Sequence, residues 1–139
     1  MNGKQFVLCL FLVCLSLQSR SQSVEEQQLS AEYTKHEAMI GMRDGVKLYT
    51  AVYEPRDKRQ RHAILMFRTP YGCRPYGKQF SSAIWGELRH YAKKRYIIVY
   101  QDVRGRYMSE GEYENMRPVT LARGERANDV TDAYDTAEW

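Results

Sequence analysis

Cysteine is almost missing from this chain. Three occur in 139 residues, and Cys9 and Cys14 lie inside an apolar run near the amino terminus, so only Cys73 stands in the remainder. An internal disulfide is therefore excluded for that remainder, which has to be held by core packing. A large excess of one charge is missing as well. The formal net charge is +4, and Lys4 and Arg20 supply two of those positive charges from the first 21 residues. The rest of the chain, at about +2, is too mild to suggest a nucleic-acid partner. The cluster Arg56, Lys58, Arg59 and Arg61 reads as a solvated turn between two strands, not as a phosphate patch.

Long apolar runs are scarce too. The longest, residues 6–17, stops at Gln18, short of the roughly twenty residues that span a bilayer. With Lys4 before it and Ser19 and Ser21 after it, the pattern is that of a signal peptide over residues 1–21. Lipid attachment at Cys14 fits poorly, because bulky Val13 precedes it. The expectation is a secreted or periplasmic protein with no stable membrane insertion once the signal is removed. Metal and phosphate motifs are absent. His36, His62 and His90 are scattered without ligand spacing, and the glycines match no phosphate loop, so no metal or cofactor is expected. A Gly-x-Ser-x-Gly nucleophile elbow is also missing, since Ser81, Ser82 and Ser109 lack the flanking glycines.

What is present is an α/β pattern. Residues 22–34, rich in Gln, Glu and Ser, read as a flexible lead-in. Residues 35–42 suggest a first strand, Arg43-Asp44-Gly45 a hairpin turn, and residues 46–53 an alternating second strand closed by Pro55. The apolar run 63–67 reads as a third, central strand. Residues 80–91 place Ala83, Ile84, Leu88 and Tyr91 on one helical face, with Trp85 beside it and Lys93, Lys94 and Arg95 at the end. Ile97, Ile98, Val99 and Tyr100 make a strand buried on both faces. Beyond a polar connection over 114–126, Asn128-Asp129 caps a last helix with Val130, Ala133, Tyr134, Ala137 and Trp139 as its apolar stripe.

An antiparallel edge thus feeds a strand–helix–strand unit, the start of a mixed sheet. A final helix with no strand after it implies the amino-terminal portion of a larger protein. Ligands in such sheets collect outside the carboxyl ends of the strands. Two loops fall there, 68–75 and the glycine-punctuated 101–113. Neither contains an evident nucleophile. Tyr71 offers a phenol able to donate to an oxyanion, although the residues alone favour a tyrosine packed on the loop behind Pro70.

Four segments in order, MRDGVKLYTAVYEP (42–55), RTPYG (68–72), QDVRGRYMSEGEY (101–113) and NDVTDAYDTAEW (128–139), resemble one family of α/β-hydrolases. It groups X-Pro dipeptidyl-peptidases, cocaine esterase, α-amino-acid ester hydrolases and glutaryl acylase-like enzymes (the CocE/NonD type). The resemblance covers residues 35–139 and implies the amino-terminal part of a catalytic domain. It implies that Tyr71 is an oxyanion-hole donor in a serine hydrolase acting on small ester or amide substrates or short peptides. It gives Asp102, Arg104 and Gly105 a structural role beside the site, with Arg104 a partner for carboxylates or carbonyls. The Ser-Asp-His triad would lie beyond residue 139, so the 139-residue chain alone is expected to be inactive. The competing readings are an inert truncated fragment and a small binding domain that uses some of the eleven tyrosines.

Overall fold

The computed structural model describes residues 30–81, 86–115 and 127–139, together with Gln27 and Ile84. In chain order the elements are β1 (Tyr33–Gly41), β2 (Lys47–Pro55), β3 (Ile64–Thr69), helix α1 (Arg89–Lys93), β4 (Ile97–Asp102) and helix α2 (Asp129–Glu138). The strands form one mixed sheet in the order β1-β2-β4-β3. The Asp-Gly turn sets the first pairing. Gly45, at φ +87°, donates its N–H to the Met42 carbonyl at 2.8 Å, and the Asp44 carboxylate accepts from the Val46 N–H at 3.2 Å. β1 and β2 then run antiparallel from Gly41 opposite Lys47 to Tyr33 opposite Pro55. β2 is antiparallel to β4, and β3 is parallel to β4 with Thr69 opposite Asp102. The antiparallel hairpin feeding a parallel pair is the mixed α/β sheet that the sequence pattern predicts.

Alternation along β2 divides the two faces. Tyr49, Ala51 and Tyr53 point to one side, where they join Tyr33, Ile84, Leu88, Ala92 and Ile98 in the main core. Full burial of each large apolar side chain there contributes about 1.5–3 kcal/mol. Tyr33 adds polar closure, its hydroxyl donating to the carbonyls of Ala92 at 3.0 Å and Tyr96 at 2.8 Å. The other face has a smaller cluster of Ile40, Met42 and Leu48. Beside that cluster runs an open groove of about 580 Å³ lined by Val52, Met66, Val99 and Trp139 among others.

Four expectations change. Tyr33 and Thr34, assigned to the lead-in, begin β1, because the buried Tyr33 ring and its two hydrogen bonds anchor the chain there. β3, read as central, is the edge of the described sheet, with Ile64 65% exposed. An apolar run shows that faces are covered, not that both edges are paired. The helix expected over 80–91 is interrupted: Ile84 is helical, residues 86–88 form a turn that contains Gly86, a poor helix former, and a regular helix follows over Arg89–Lys93. Ile84 and Leu88 are buried, whereas Ser82, Ala83 and Trp85 lie outside the described residues.

The fourth change concerns α2. Its expected apolar stripe points outward, with Val130, Tyr134 and Trp139 all more than half exposed. The buried side is polar: Asn128, Asp132 and Thr136, spaced at i, i+4 and i+8. Asn128 caps the helix as expected, accepting from the N–H groups of Val130 and Thr131 at 3.0 Å each. The signal peptide proposed for residues 1–21 and most of the 114–126 connection also lie outside the described residues. Among the described residues, no helix is long and apolar enough to cross a membrane.

Candidate active site

Because β3 and β4 are parallel neighbours that end level at Thr69 and Asp102, the loops that follow them leave the sheet side by side. Tyr71 stands on the first loop, 82% exposed, its backbone N–H donating to Thr69 Oγ1 at 3.1 Å. The phenol therefore faces solvent and is not packed behind Pro70. The chain on either side of it is held tightly.

Asp102 does much of the holding. It is fully buried, and its carboxylate accepts from the Cys73 N–H at 2.8 Å, the Tyr76 hydroxyl at 3.0 Å and the Met108 N–H at 3.3 Å. Two loops are thereby fastened to one side chain at the end of β4. Burial, followed by donation to Asp102, pushes the Tyr76 phenol up to about 12, so it remains a donor at neutral pH. The free, buried Cys73 thiol is pushed up by the same two causes, away from the thiolate form that a nucleophile needs. Ser109 is also engaged. Its hydroxyl donates to the Asp102 carbonyl at 2.6 Å and accepts from the Tyr49 N–H at 2.8 Å.

The loop is fastened on its far side by β1. The Lys35 side chain, 2% exposed, donates to the carbonyls of Pro75 and Gly77 at 2.7 Å each and of Gln79 at 3.0 Å. Glu37 pairs with Lys35 at 2.7 Å and accepts from the Gly77 N–H at 2.6 Å. Lys35 and Glu37 share a strand face two residues apart, which is the signal that could have marked them. Their partners lie about forty residues onward in the sequence.

Arg104 lies inside. It forms a fork with Asp132, Nε at 3.0 Å and Nη2 at 2.6 Å, and reaches the hairpin turn through Nη1 to Asp44 at 2.7 Å. These hydrogen bonds, that to Asp132 foremost, raise its already high pKa. Arg68, before the Tyr71 tip, donates from Nε to Gln101 at 2.7 Å and from Nη1 to the Asp129 carbonyl. Gln101 in turn donates to Thr50 at 3.0 Å and Thr136 at 2.7 Å. The polar side of α2 is thus docked onto the carboxyl ends of β3 and β4. Gly105, at φ +67°, permits the fold-back of the second loop: a Cβ there would lie 2.2 Å from the Tyr113 nitrogen. Among the described residues no three His, Cys, Asp or Glu side chains gather to hold a metal.

This is an exposed phenol on a fixed loop, able to donate a hydrogen bond to an anion presented from outside. Among the described residues, the Ser109 hydroxyl is engaged by hydrogen bonds and the Cys73 thiol is buried, so neither loop presents an exposed nucleophile beside Tyr71. The family model for X-Pro dipeptidyl-peptidase (S15 family) matches residues 44–139. The cocaine esterase of Rhodococcus sp. (strain MB1 Bresler) is 32% identical over 102 residues, 73% of this chain and 15% of that protein. An aminopeptidase from a marine sediment Thaumarchaeota archaeon superposes with a TM-score of 0.66 at 41% identity, over 78% of this chain and 18% of its own. An α-amino-acid ester hydrolase gives a TM-score of 0.61 at 36% identity with the same two coverages. The chain spans less than a fifth of the length of each of these relatives.

Proposed function

Because the chain belongs to the X-Pro dipeptidyl-peptidase (S15) family, we propose that it supplies the amino-terminal part of a serine hydrolase domain that cleaves ester or amide bonds of acyl or aminoacyl substrates. The observation that carries this is the placement of Tyr71, exposed on a fastened loop at the carboxyl end of the sheet. A preformed donor in that position stabilises the negative charge of a tetrahedral intermediate without reorganising at the moment of reaction. The serine nucleophile, the histidine base and the aspartate that orients it come from sequence beyond these 139 residues. The serine is acylated and water then releases the acyl group. Relatives described as an esterase, an aminopeptidase and an amino-acid ester hydrolase support small ester or amide substrates.

Tyr71→Phe in the full-length protein removes only the hydroxyl. It is expected to lower kcat about 10²–10³-fold, the cost of one oxyanion donor, and to leave KM nearly unchanged. Steady-state kinetics on an activated ester decides the point. Turnover equal to wild type would remove Tyr71 from the mechanism.

A further inference from the structure

Among the described residues no side-chain hydrogen bond or ring contact aims Tyr71, which is 82% exposed, so its direction comes from the backbone on either side. Before it, β3 and the Thr69 hydroxyl fix the chain. After it, the first restraint is the Cys73 N–H, two residues on, held by Asp102 Oδ1. Asp102 Oδ2 then takes the Tyr76 hydroxyl and the Met108 N–H. Between them Gly72, at φ +95°, lies under the Tyr107 ring so closely that a Cβ would meet it at 3.2 Å. Tyr107 itself sits at φ +49°, a left-handed conformation that a bulky residue adopts only where its surroundings impose it.

We infer that Asp102 is a positioning residue for the reaction, setting the direction of the Tyr71 hydroxyl by pinning Cys73 and Tyr76 behind it and Tyr107-Met108 against it. The inference rests on Tyr71 being the oxyanion donor. One buried carboxylate with three donors from two loops couples them, so that the tip of one cannot shift without loosening the other. An asparagine in its place keeps one acceptor oxygen and presents an amide to donors that need an acceptor. Tyr76→Phe is the milder change, removing one of the three donors and no backbone contact.

The test is a kinetic cycle in the full-length protein on one activated ester: wild type, Tyr71→Phe, Asp102→Asn, Tyr76→Phe, and each of the last two combined with Tyr71→Phe. Asp102→Asn is expected to lower kcat by about 10²-fold with KM little changed, the scale of loss that follows misplacement of a reacting group by an ångström. Tyr76→Phe is expected to lower kcat about tenfold. In the Tyr71→Phe background both losses should nearly vanish, because there is no hydroxyl left to aim. Losses that instead multiply, or Tyr76→Phe at full wild-type turnover, would overturn the positioning role and leave Tyr71 as donor intact. Tyr71→Phe at wild-type turnover would overturn the donor reading and this inference with it. Should Asp102→Asn fail to fold, the Tyr76→Phe arm alone decides between these outcomes.

Discussion

On the α1 face the sheet meets its covering chain mainly through apolar side chains, with Ile84, Leu88 and Ala92 against Tyr53 and Ile98. On the α2 face the contact is Asp132, Thr136 and the Asp129 carbonyl against Arg68, Gln101 and Arg104. Apolar burial is non-directional and tolerates small slides. A buried fork of charge does not, since its strength depends on distance and angle and an unmatched ion in the interior is costly. The apolar face therefore holds α1 by area, whereas the ionic face fixes the register of α2 on the ends of β3 and β4, where the candidate site lies.

The sharpest way to break this contrast is Arg104→Ala. Among the described residues it leaves the Asp132 carboxylate, 1% exposed, with only the longer contact to Arg68 at 3.6 Å. A loss of about 3–5 kcal/mol is expected from stranding a buried charge, read as a lowered midpoint in urea unfolding of the full-length protein. A loss of about 1 kcal/mol or less, the range of an exposed pair, would mean that the network does not fix α2. On the other face Ile98→Ala should cost about 2–5 kcal/mol, depending on how far the cavity collapses. Because that contact is non-directional, kcat of the surviving folded enzyme should stay near wild type. A large fall in kcat at unchanged fold would show that the apolar face also sets the geometry of the site.

The smallest effect is that of acid. Hydrogen bonds from Arg43 hold Asp135 below its ordinary value of 3.8. Burial pushes Asp44 up, but hydrogen bonds from Arg104 and from the backbone bring it below the same value. Both carboxylates thus have lower pKa values folded than unfolded. The stability they lend is complete above the ordinary carboxylate range and is lost as pH falls through the folded values. Hydrogen exchange followed downward from about pH 4 should expose the amides of α2 before those of α1. Equal loosening on the two faces would contradict the division.

Much of the strand framework was legible in the sequence, and for local reasons. The Asp44-Gly45 turn, the alternation of β2 and the apolar run of β4 are signals within a few residues. They suffice to give the hairpin, the parallel pair and the two loops at its carboxyl end. The restraints on those loops were not legible. Lys35 meets carbonyls at 75, 77 and 79, Arg43 meets Asp135, and Arg104 meets both Asp44 and Asp132. Each pairing joins residues that only the finished sheet brings together. Helix α2 misled for a related reason. Its apolar stripe at Val130 and Tyr134 has a clean helical period, yet the Asn128, Asp132 and Thr136 row has the same period. Burial went to the row whose partners, Arg104 and Gln101, were already waiting on the sheet.

Gly105 has a consequence for anyone wishing to reshape this surface. A side chain there would strike the backbone of Glu112 and Tyr113, and one at Gly111 would press on Arg104. A combinatorial library over this loop would lose its members at those two positions to misfolding. Met108, about half exposed and tied into the loop through its backbone N–H, stands between them. Its side chain is where diversity can be placed while Tyr107 keeps its place over Gly72 and the hinges of the loop stay as they are.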